Sequence, residues 1–126
     1  MVRSVINNLL PTLDSKILAA FTSSGTLTKQ QQAQLDLSNQ LIEEIKQNNI
    51  IVIVAPIYNF TISFHLKHYF DFIAGSGHTF KYTEQGAIGL KSKHVYIFTS
   101  RDGIYKDIFA NQAYIQAQKY INCLVP

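Results

Sequence analysis

Residues 50–55 read Ile-Ile-Val-Ile-Val-Ala, and this stretch decides the class of fold. Five of its six residues are β-branched and none is polar, a pattern typical of a strand that is buried on both faces in a parallel sheet. Pro56 ends the strand, because proline has no N–H for a ladder hydrogen bond. His94 to Thr99 predicts a second strand. We therefore expect a pair of parallel strands that are joined by a crossover connection.

Helical patterns flank these strands. Thr28 with Gln31 three residues later matches a capping box, in which each side chain bonds the backbone N–H of the other residue, and Asn48-Asn49 ends the helix that starts there. A second helix is predicted from Ser63 to Ala74 and a third from Ile108 to Ile121. The residues predicted to face the core are Leu35, Ser38, Leu41, Ile42 and Ile45 in the first of these helices and Leu66, Tyr69, Phe70 and Ile73 in the second.

The remaining segments are patterned more weakly. Leu13, Ile17 and Leu18 are spaced to line one face of a short helix. A short extended piece, Thr79 to Tyr82, and a glycine-punctuated excursion lengthen the crossover to the second strand. The order helix, strand, helix, strand, helix predicts one α/β domain over residues 1–126, with a right-handed crossover.

The composition excludes several classes of protein. Of the 126 residues, 47% are apolar and 15% are charged, whereas a typical soluble domain has about 25% charged residues, so the chain is not a disordered tail. Its longest apolar run, 50–57, is too short to span a membrane, which takes about 20 residues. The net charge of +3 is scattered along the chain, which speaks against binding of nucleic acid.

Cysteine and histidine point to no metal or disulfide framework. Cys123 is the single cysteine, which excludes an internal disulfide and a multi-cysteine zinc site. His65 and His68 lie one turn apart on a predicted helix, but no third ligand is evident. The first residues contain no signal-peptide core, so the expected location is the reducing cytoplasm.

Four motifs, in a fixed order, carry a resemblance to a known family. They are Ala55–Phe60, Leu66–Asp71, Thr79–Glu84 with Gly86 and Gly89-Leu90 behind it, and Thr99–Asp107. In this order and spacing the chain resembles the FMN-dependent NADH-azoreductases, also called NADH:quinone oxidoreductases, whose fold is flavodoxin-like. The resemblance runs from about Leu27 to Asp107.

The resemblance implies an FMN site at the carboxyl ends of the two strands, which is where ligands bind in open α/β sheets. In the family, the loop that matches Ile57, Tyr58, Asn59 and Phe60 wraps the ribityl chain and the edge of the flavin ring. Asn59 would offer its side-chain amide to the ring, and Tyr58 would supply an aromatic wall. From the residues alone, Asn59 would be a turn residue.

The second loop and two tyrosines complete the site that the resemblance implies. The loop Ser100, Arg101, Asp102 and Gly103 would run along the pyrimidine side of the ring, with Asp102 at a position where the family favours glycine. The substrate pocket would be lined by two tyrosines, Tyr82 and Tyr105, of which Tyr82 matches an aromatic residue that reaches the pocket from the partner subunit.

The implied reaction needs no catalytic side chain, because the cofactor carries the hydride chemistry. NADH would reduce FMN and leave, and a small aromatic acceptor, either a quinone or an azo compound, would then take the electrons. The implied assembly is a homodimer.

The resemblance also implies an incomplete fold. In the family the sheet has the strand order 2-1-3-4-5, and the loop after the first strand holds the FMN phosphate at a helix N-terminus. Nothing before Thr28 has that pattern, Met1 to Asn8 matches only the tail of the second strand, and the chain ends at Pro126 before a fifth strand. The expected fold is therefore an α/β, flavodoxin-like parallel sheet with flanking helices that lacks its first, central strand and its last strand.

Three hypotheses follow. The chain is an FMN-dependent oxidoreductase; or it is a non-catalytic remnant or one part of a split reductase, which meets a complementary fragment; or it is a small interaction module that uses apolar edges. A two-stranded sheet leaves apolar edges open, and such edges invite pairing with other chains. We therefore predict that the chain meets a partner or aggregates.

Overall fold

The computed structural model describes residues 3–5, 7–22, 25–59, 61–74, 79–90 and 92–100. The predicted helix from Ile108 to Ile121 lies outside this part of the chain. The helices are α1 (Ser15–Thr22), α2 (Lys29–Gln47) and α3 (Phe64–Ile73). The strands are β1 (Ile50–Val54), β2 (Ile57–Tyr58), β3 (Thr61–Ile62), β4 (Lys81–Thr83), β5 (Gly86–Ile88) and β6 (His94–Phe98).

The two predicted strands pair as expected. β1 and β6 are parallel, in a register that runs from Ile50 opposite His94 to Val54 opposite Phe98. Helix α3 lies between them in the chain, followed by the antiparallel hairpin of β4 and β5. The prediction of an α/β unit with a parallel pair and a long crossover is confirmed.

Burial of β1 on both faces was predicted, and this prediction is wrong for the described residues. Ile51 and Ile53 pack against the core, whereas Ile50, Val52 and Val54 are 64%, 57% and 68% exposed. The core that covers the inner face draws its side chains from α2 and α3. The described helices therefore cover one face of the sheet. The apolar composition of β1, in contrast, is typical of a sheet that has helices on both faces.

The long helix α2 follows its sequence pattern closely. Thr28 Oγ1 accepts from the N–H of Gln31 at 3.2 Å, and Gln31 Oε1 accepts from the N–H of Thr28 at 2.9 Å, which confirms the capping box. Asn48 is the C-cap. Leu35 is only half-buried, because the adjacent Gln34 takes the more buried position. The buried residues of α2 are Gln34, Ser38, Leu41, Ile42 and Ile45.

Helix α3 also begins and ends where predicted, with Ser63 as N-cap and Ala74 as C-cap. Phe72, which the sequence pattern did not place inside, is 1% exposed. The hydroxyl of Ser38 donates to the carbonyl of Phe72 at 2.6 Å in a buried hydrogen bond. This bond ties α2 to α3 and satisfies a polar side chain inside the core.

Helix α1 is shifted in phase from its prediction. Ile17 is 5% exposed, whereas Leu18, which was expected to face inward, is 54% exposed. Asp14 caps the helix, since its carboxylate accepts from the N–H of Lys16 and of Ile17 at 3.0 and 2.9 Å. In so short a helix only one narrow face reaches the core, and adjacent positions point about 100° apart.

Candidate functional site

The carboxyl edge of the parallel pair holds the start of the first predicted loop and Ser100, the first residue of the second. The ladder continues past the ends of both strands, because the N–H of Ala55 donates to the carbonyl of Phe98 at 2.8 Å and that of Ile57 donates to the carbonyl of Ser100 at 3.0 Å. The structure thus brings Ile57 and Ser100 together, as expected for segments at the carboxyl ends of neighbouring parallel strands.

The first loop, which the sequence predicts without regular structure of its own, begins as a small hairpin. Tyr58 pairs with Thr61, and Ile57 pairs with Ile62, in antiparallel register. Asn59 begins the two-residue connection with a φ of 47°, in the left-handed region that two-residue hairpins require and that asparagine tolerates better than most residues. The turn chemistry of Asn59 was the available signal, and the pairing partners Thr61 and Ile62 were missed.

The hairpin is anchored by its inner residues, and it presents its polar and aromatic groups outward. Ile62 is buried, and the hydroxyl of Ser63 beside it accepts from the N–H of Leu66 at 3.3 Å at the start of α3. Tyr58 is 53% exposed, and the side chain of Asn59 is exposed as well. The edge therefore offers an aromatic ring and an amide that can both donate and accept hydrogen bonds.

Tyr82 lies on a different hairpin. It sits in β4 opposite Ala87 of β5, and in the described part of the chain these two strands pair only with each other. Its side chain is 77% exposed and meets the ring of Phe80 edge to face, with 5.5 Å between the ring centroids. Tyr82 is thus an outward-facing aromatic residue, which is the orientation that an intermolecular contact needs.

The remaining predicted site residues lie outside the described residues. They are Phe60 of the first loop, Arg101, Asp102 and Gly103 of the second loop, and Tyr105. Their roles in cofactor or substrate binding stay predictions.

A polar cluster that the sequence analysis missed lies beside β1. Arg3 donates two hydrogen bonds to the carboxylate of Glu44, from Nε at 2.9 Å and from Nη2 at 2.5 Å. The hydrogen bond to Glu44 raises the pKa of Arg3. Burial, followed by the nearby charge of Glu44, raises the pKa of Tyr69 to about 12, although Arg3 acts in the opposite direction. Arg3 and Glu44 are far apart in the chain, so no local pattern could have revealed the pair.

Two other kinds of site, a membrane span and a metal centre, concern the described residues. None of the helices there combines the length and the apolar character that a membrane crossing requires. Within the same residues, no three side chains of histidine, cysteine, aspartate or glutamate gather closely enough to hold a metal ion.

Comparison with known proteins gives a consistent picture. A sequence model of the family described as having a flavodoxin-like fold matches residues 1–122. The chain is 50% identical over 108 residues to the FMN-dependent NADH:quinone oxidoreductase of Yersinia pestis (strain Pestoides F), a match that covers 84% of this chain and 54% of that protein. It is 48% identical over 108 residues to the protein of the same name from Escherichia coli O6:H1, with the same coverage.

Among solved structures, the FMN-dependent NADH-azoreductase from Bacillus anthracis in complex with FMN superposes with a TM-score of 0.84 at 27% sequence identity. The superposition covers 97% of this chain and 62% of that one. The chain therefore spans about half the length of the oxidoreductases that it matches in sequence, and under two thirds of the azoreductase.

Proposed function

The chain belongs to the family with a flavodoxin-like fold, and from that premise we propose that residues 1–126 form one partial domain that acts as an FMN-dependent NADH:quinone oxidoreductase or azoreductase. The observation that carries the proposal is the junction of the two strand-end loops, where Ile57 donates to Ser100 at 3.0 Å. This junction sets both sequence signatures at one edge of the sheet, which is the edge where open α/β sheets bind their ligands.

The described residues fit the ring of a flavin. A flavin ring has a flat aromatic face and an edge that carries both donors and acceptors. Tyr58 supplies an exposed ring and Asn59 an exposed amide, and these are the two kinds of group that such a ligand needs. When it is bound, FMN supplies the hydride and electron transfer, and the side chains bind and orient it.

The phosphate of FMN lacks an equivalent cradle in the described residues. Helix α3 is the described helix that follows directly on the hairpin at this edge, and the hydroxyl of its N-cap Ser63 already accepts from Leu66. A phosphate-binding helix N-terminus would therefore come from residues outside the described part of the chain or from the partner subunit.

The same proposal covers the other components. NADH is the electron donor, and a quinone or an azo compound is the small aromatic acceptor. The assembly is a homodimer in the cytoplasm, in which Tyr82 contacts the partner subunit and Tyr105 lines the substrate pocket. The exposed ring of Tyr82 on its separate hairpin supports this part of the proposal.

The test is a titration of the full chain with FMN, monitored by the quenching of flavin fluorescence. The oxidation of NADH is then measured in the presence of a soluble quinone. We expect saturable binding that Asn59→Gly weakens, since glycine keeps the positive φ and removes the amide. Ser92→Gly is the matched control, because Ser92 is the other described residue that has a positive φ without being glycine. Absence of saturable binding overturns the proposal for this chain.

A second candidate is a non-catalytic remnant or one half of a split reductase. It is favoured by the two-stranded parallel sheet, one face of which carries Val52 and Val54 in exposed positions. The two candidates separate in one experiment. An active holoenzyme formed by the chain alone supports the first, whereas FMN binding only in the presence of a complementary fragment supports the second.

A further inference from the structure

The hairpin of β4 and β5, which carries Tyr82, is tied at its foot to helix α3 by a buried hydroxyl. Thr79 stands two residues before β4 and is 1% exposed. Its hydroxyl donates to the carbonyl of Ile73, the last residue of α3, at 2.6 Å. The bond therefore crosses the connection between the helix and the hairpin and joins their ends inside the core.

The end of a helix explains why a hydroxyl stands at this place. The last carbonyls of a helix have no partner within the helix, and a buried carbonyl that lacks a hydrogen bond is costly. Ile73 is itself 1% exposed, so a donor must come from the protein. Thr79 supplies one, and the geometry that satisfies Ile73 also fixes the point at which the chain enters the hairpin.

The hairpin depends on this point, because its strands have few other contacts in the described part of the chain. There, β4 and β5 pair only with each other, and neither makes extensive contact with any other described element. Phe80, directly after Thr79, lies on the same face of the extended segment as Tyr82, and their rings meet edge to face. A displacement of Thr79 would therefore move Phe80 and, with it, Tyr82.

We propose that Thr79 is a positioning residue of the oxidoreductase: its hydroxyl, bonded to Ile73, holds the hairpin so that Tyr82 reaches the substrate pocket of the partner subunit. This inference rests on the function proposed above, and Thr79 acts only through Tyr82. Loss of a contact that is made equally by the bound acceptor and by the transition state raises KM and leaves kcat unchanged. Binding of FMN at the edge that carries Tyr58 and Asn59 does not depend on this contact.

Ser38 offers a matched control at the same end of α3. Its hydroxyl donates to the carbonyl of Phe72, also at 2.6 Å and also buried, but Ser38 lies in α2, far along the chain from the hairpin. Thr79→Val keeps the branched shape of the side chain and removes the hydroxyl, and Ser38→Ala removes the other hydroxyl. An effect that is only structural should appear in both variants, whereas Thr79→Ser keeps the hydroxyl and should behave as the parent does.

The first measurement is the steady-state kinetics of the full chain, loaded with FMN, with NADH and a soluble benzoquinone. Thr79→Val should raise the KM for the quinone by about fivefold and change kcat by less than about twofold. Ser38→Ala and Thr79→Ser should leave both constants within about twofold of the parent. The parent and all three variants should bind FMN alike in the fluorescence titration.

The second measurement needs neither FMN nor turnover. The sequence has no tryptophan, so Tyr82→Trp places a single indole on the hairpin, and its time-resolved anisotropy reports nanosecond motion there. Adding Thr79→Val to this reporter chain should increase the amplitude of the fast decay by about twofold, whereas adding Ser38→Ala should leave it unchanged.

Two results would overturn the positioning role and leave the proposed function standing. One is an equal effect of Thr79→Val and Ser38→Ala on the KM or on the anisotropy, and the other is failure of Thr79→Ser to keep the KM of the parent. If the parent chain binds no FMN, the proposed function fails, and the role of Thr79 in turnover fails with it. A gain of motion confined to Thr79→Val would then still support Thr79 as the anchor of the hairpin.

Discussion

The amide of Ile57 donates to the carbonyl of Ser100 across 3.0 Å, so the loops that follow β1 and β6 stay joined beyond the ends of both strands. The bond lies at the foot of the hairpin in which Ile57 pairs with Ile62. A backbone ladder fixes the start of each loop more firmly than side-chain contacts would, because it depends on no rotamer. Side chains that project from these loops therefore start from a backbone that is firmly held.

The turn at Asn59 gives the first prediction. Its φ of 47° costs a residue with a Cβ about 1–2 kcal/mol, and asparagine is among the residues that bear this cost most readily. Asn59→Ala should lower the free energy of unfolding by about 1 kcal/mol, whereas Asn59→Gly should match or exceed the parent chain. Urea denaturation measures both, and equal stability of the two variants would contradict the turn geometry.

Much of the fold was predictable because its signals are local. The capping box of Thr28 and Gln31 is a four-residue pattern, and the parallel pairing of β1 with β6 follows from two apolar runs that flank a helical one. Even the meeting of Ile57 with Ser100 follows from a general property of parallel sheets, since the carboxyl ends of neighbouring strands share an edge.

The rest depends on contacts that no local pattern records. Composition suits β1 to a sheet covered on both faces, but whether a second layer is present is a property of the whole assembly. Arg3 reaches Glu44 across a long stretch of chain, and Phe72 is buried in the core beside the helix α2, whose Ser38 donates to its carbonyl. Each of these is settled by packing between elements, and periodicity describes only the elements themselves.

Adjacent residues of α1 give the second prediction. Ile17 is 5% exposed and Leu18 is 54% exposed, so the two side chains differ in environment and hardly at all in chemistry. Ile17→Ala should lower the free energy of unfolding by about 2 kcal/mol or more through a lost contact and a cavity, and Leu18→Ala should change it by about 0.5 kcal/mol or less. Equal losses for the two variants in urea denaturation would instead support the sequence pattern, which placed both residues on one inner face.

Tyr69 gives a prediction about stability in alkaline solution. Its pKa is about 12 in the folded chain and about 10 in the unfolded chain, so Tyr69 stays protonated to a higher pH in the folded state. Between these values the unfolded state loses the proton first, and the free energy of unfolding falls as the pH rises, by up to ~2–3 kcal/mol.

The variant Tyr69→Phe isolates this effect, because it keeps the ring and removes the ionisable hydroxyl. Urea denaturation of both chains at several pH values from 9 to 11.5 should show a steeper loss of stability for the parent than for the variant. Below the unfolded pKa of about 10 the difference between the two chains should be constant. Parallel curves over the whole range would show that burial of Tyr69 does not disfavour its ionisation.

The uncovered face of the sheet gives the last prediction. Val54 and Phe98 are register partners on that face, 68% and 59% exposed, and contiguous apolar surface of this kind promotes association. Replacing both by threonine places a β-branched residue of high strand propensity at each position and reduces the apolar surface. We expect less self-association of the double variant in sedimentation and light scattering, with a free energy of unfolding within about 1 kcal/mol of the parent.

Ile53→Thr with Ile97→Thr is the matched control, because these register partners pack against the core. This control variant should lose stability without gaining solubility. A parent chain that is already monodisperse, monomeric and cooperative in its unfolding would show instead that the exposed face is tolerated, and that the chain needs no partner to cover it.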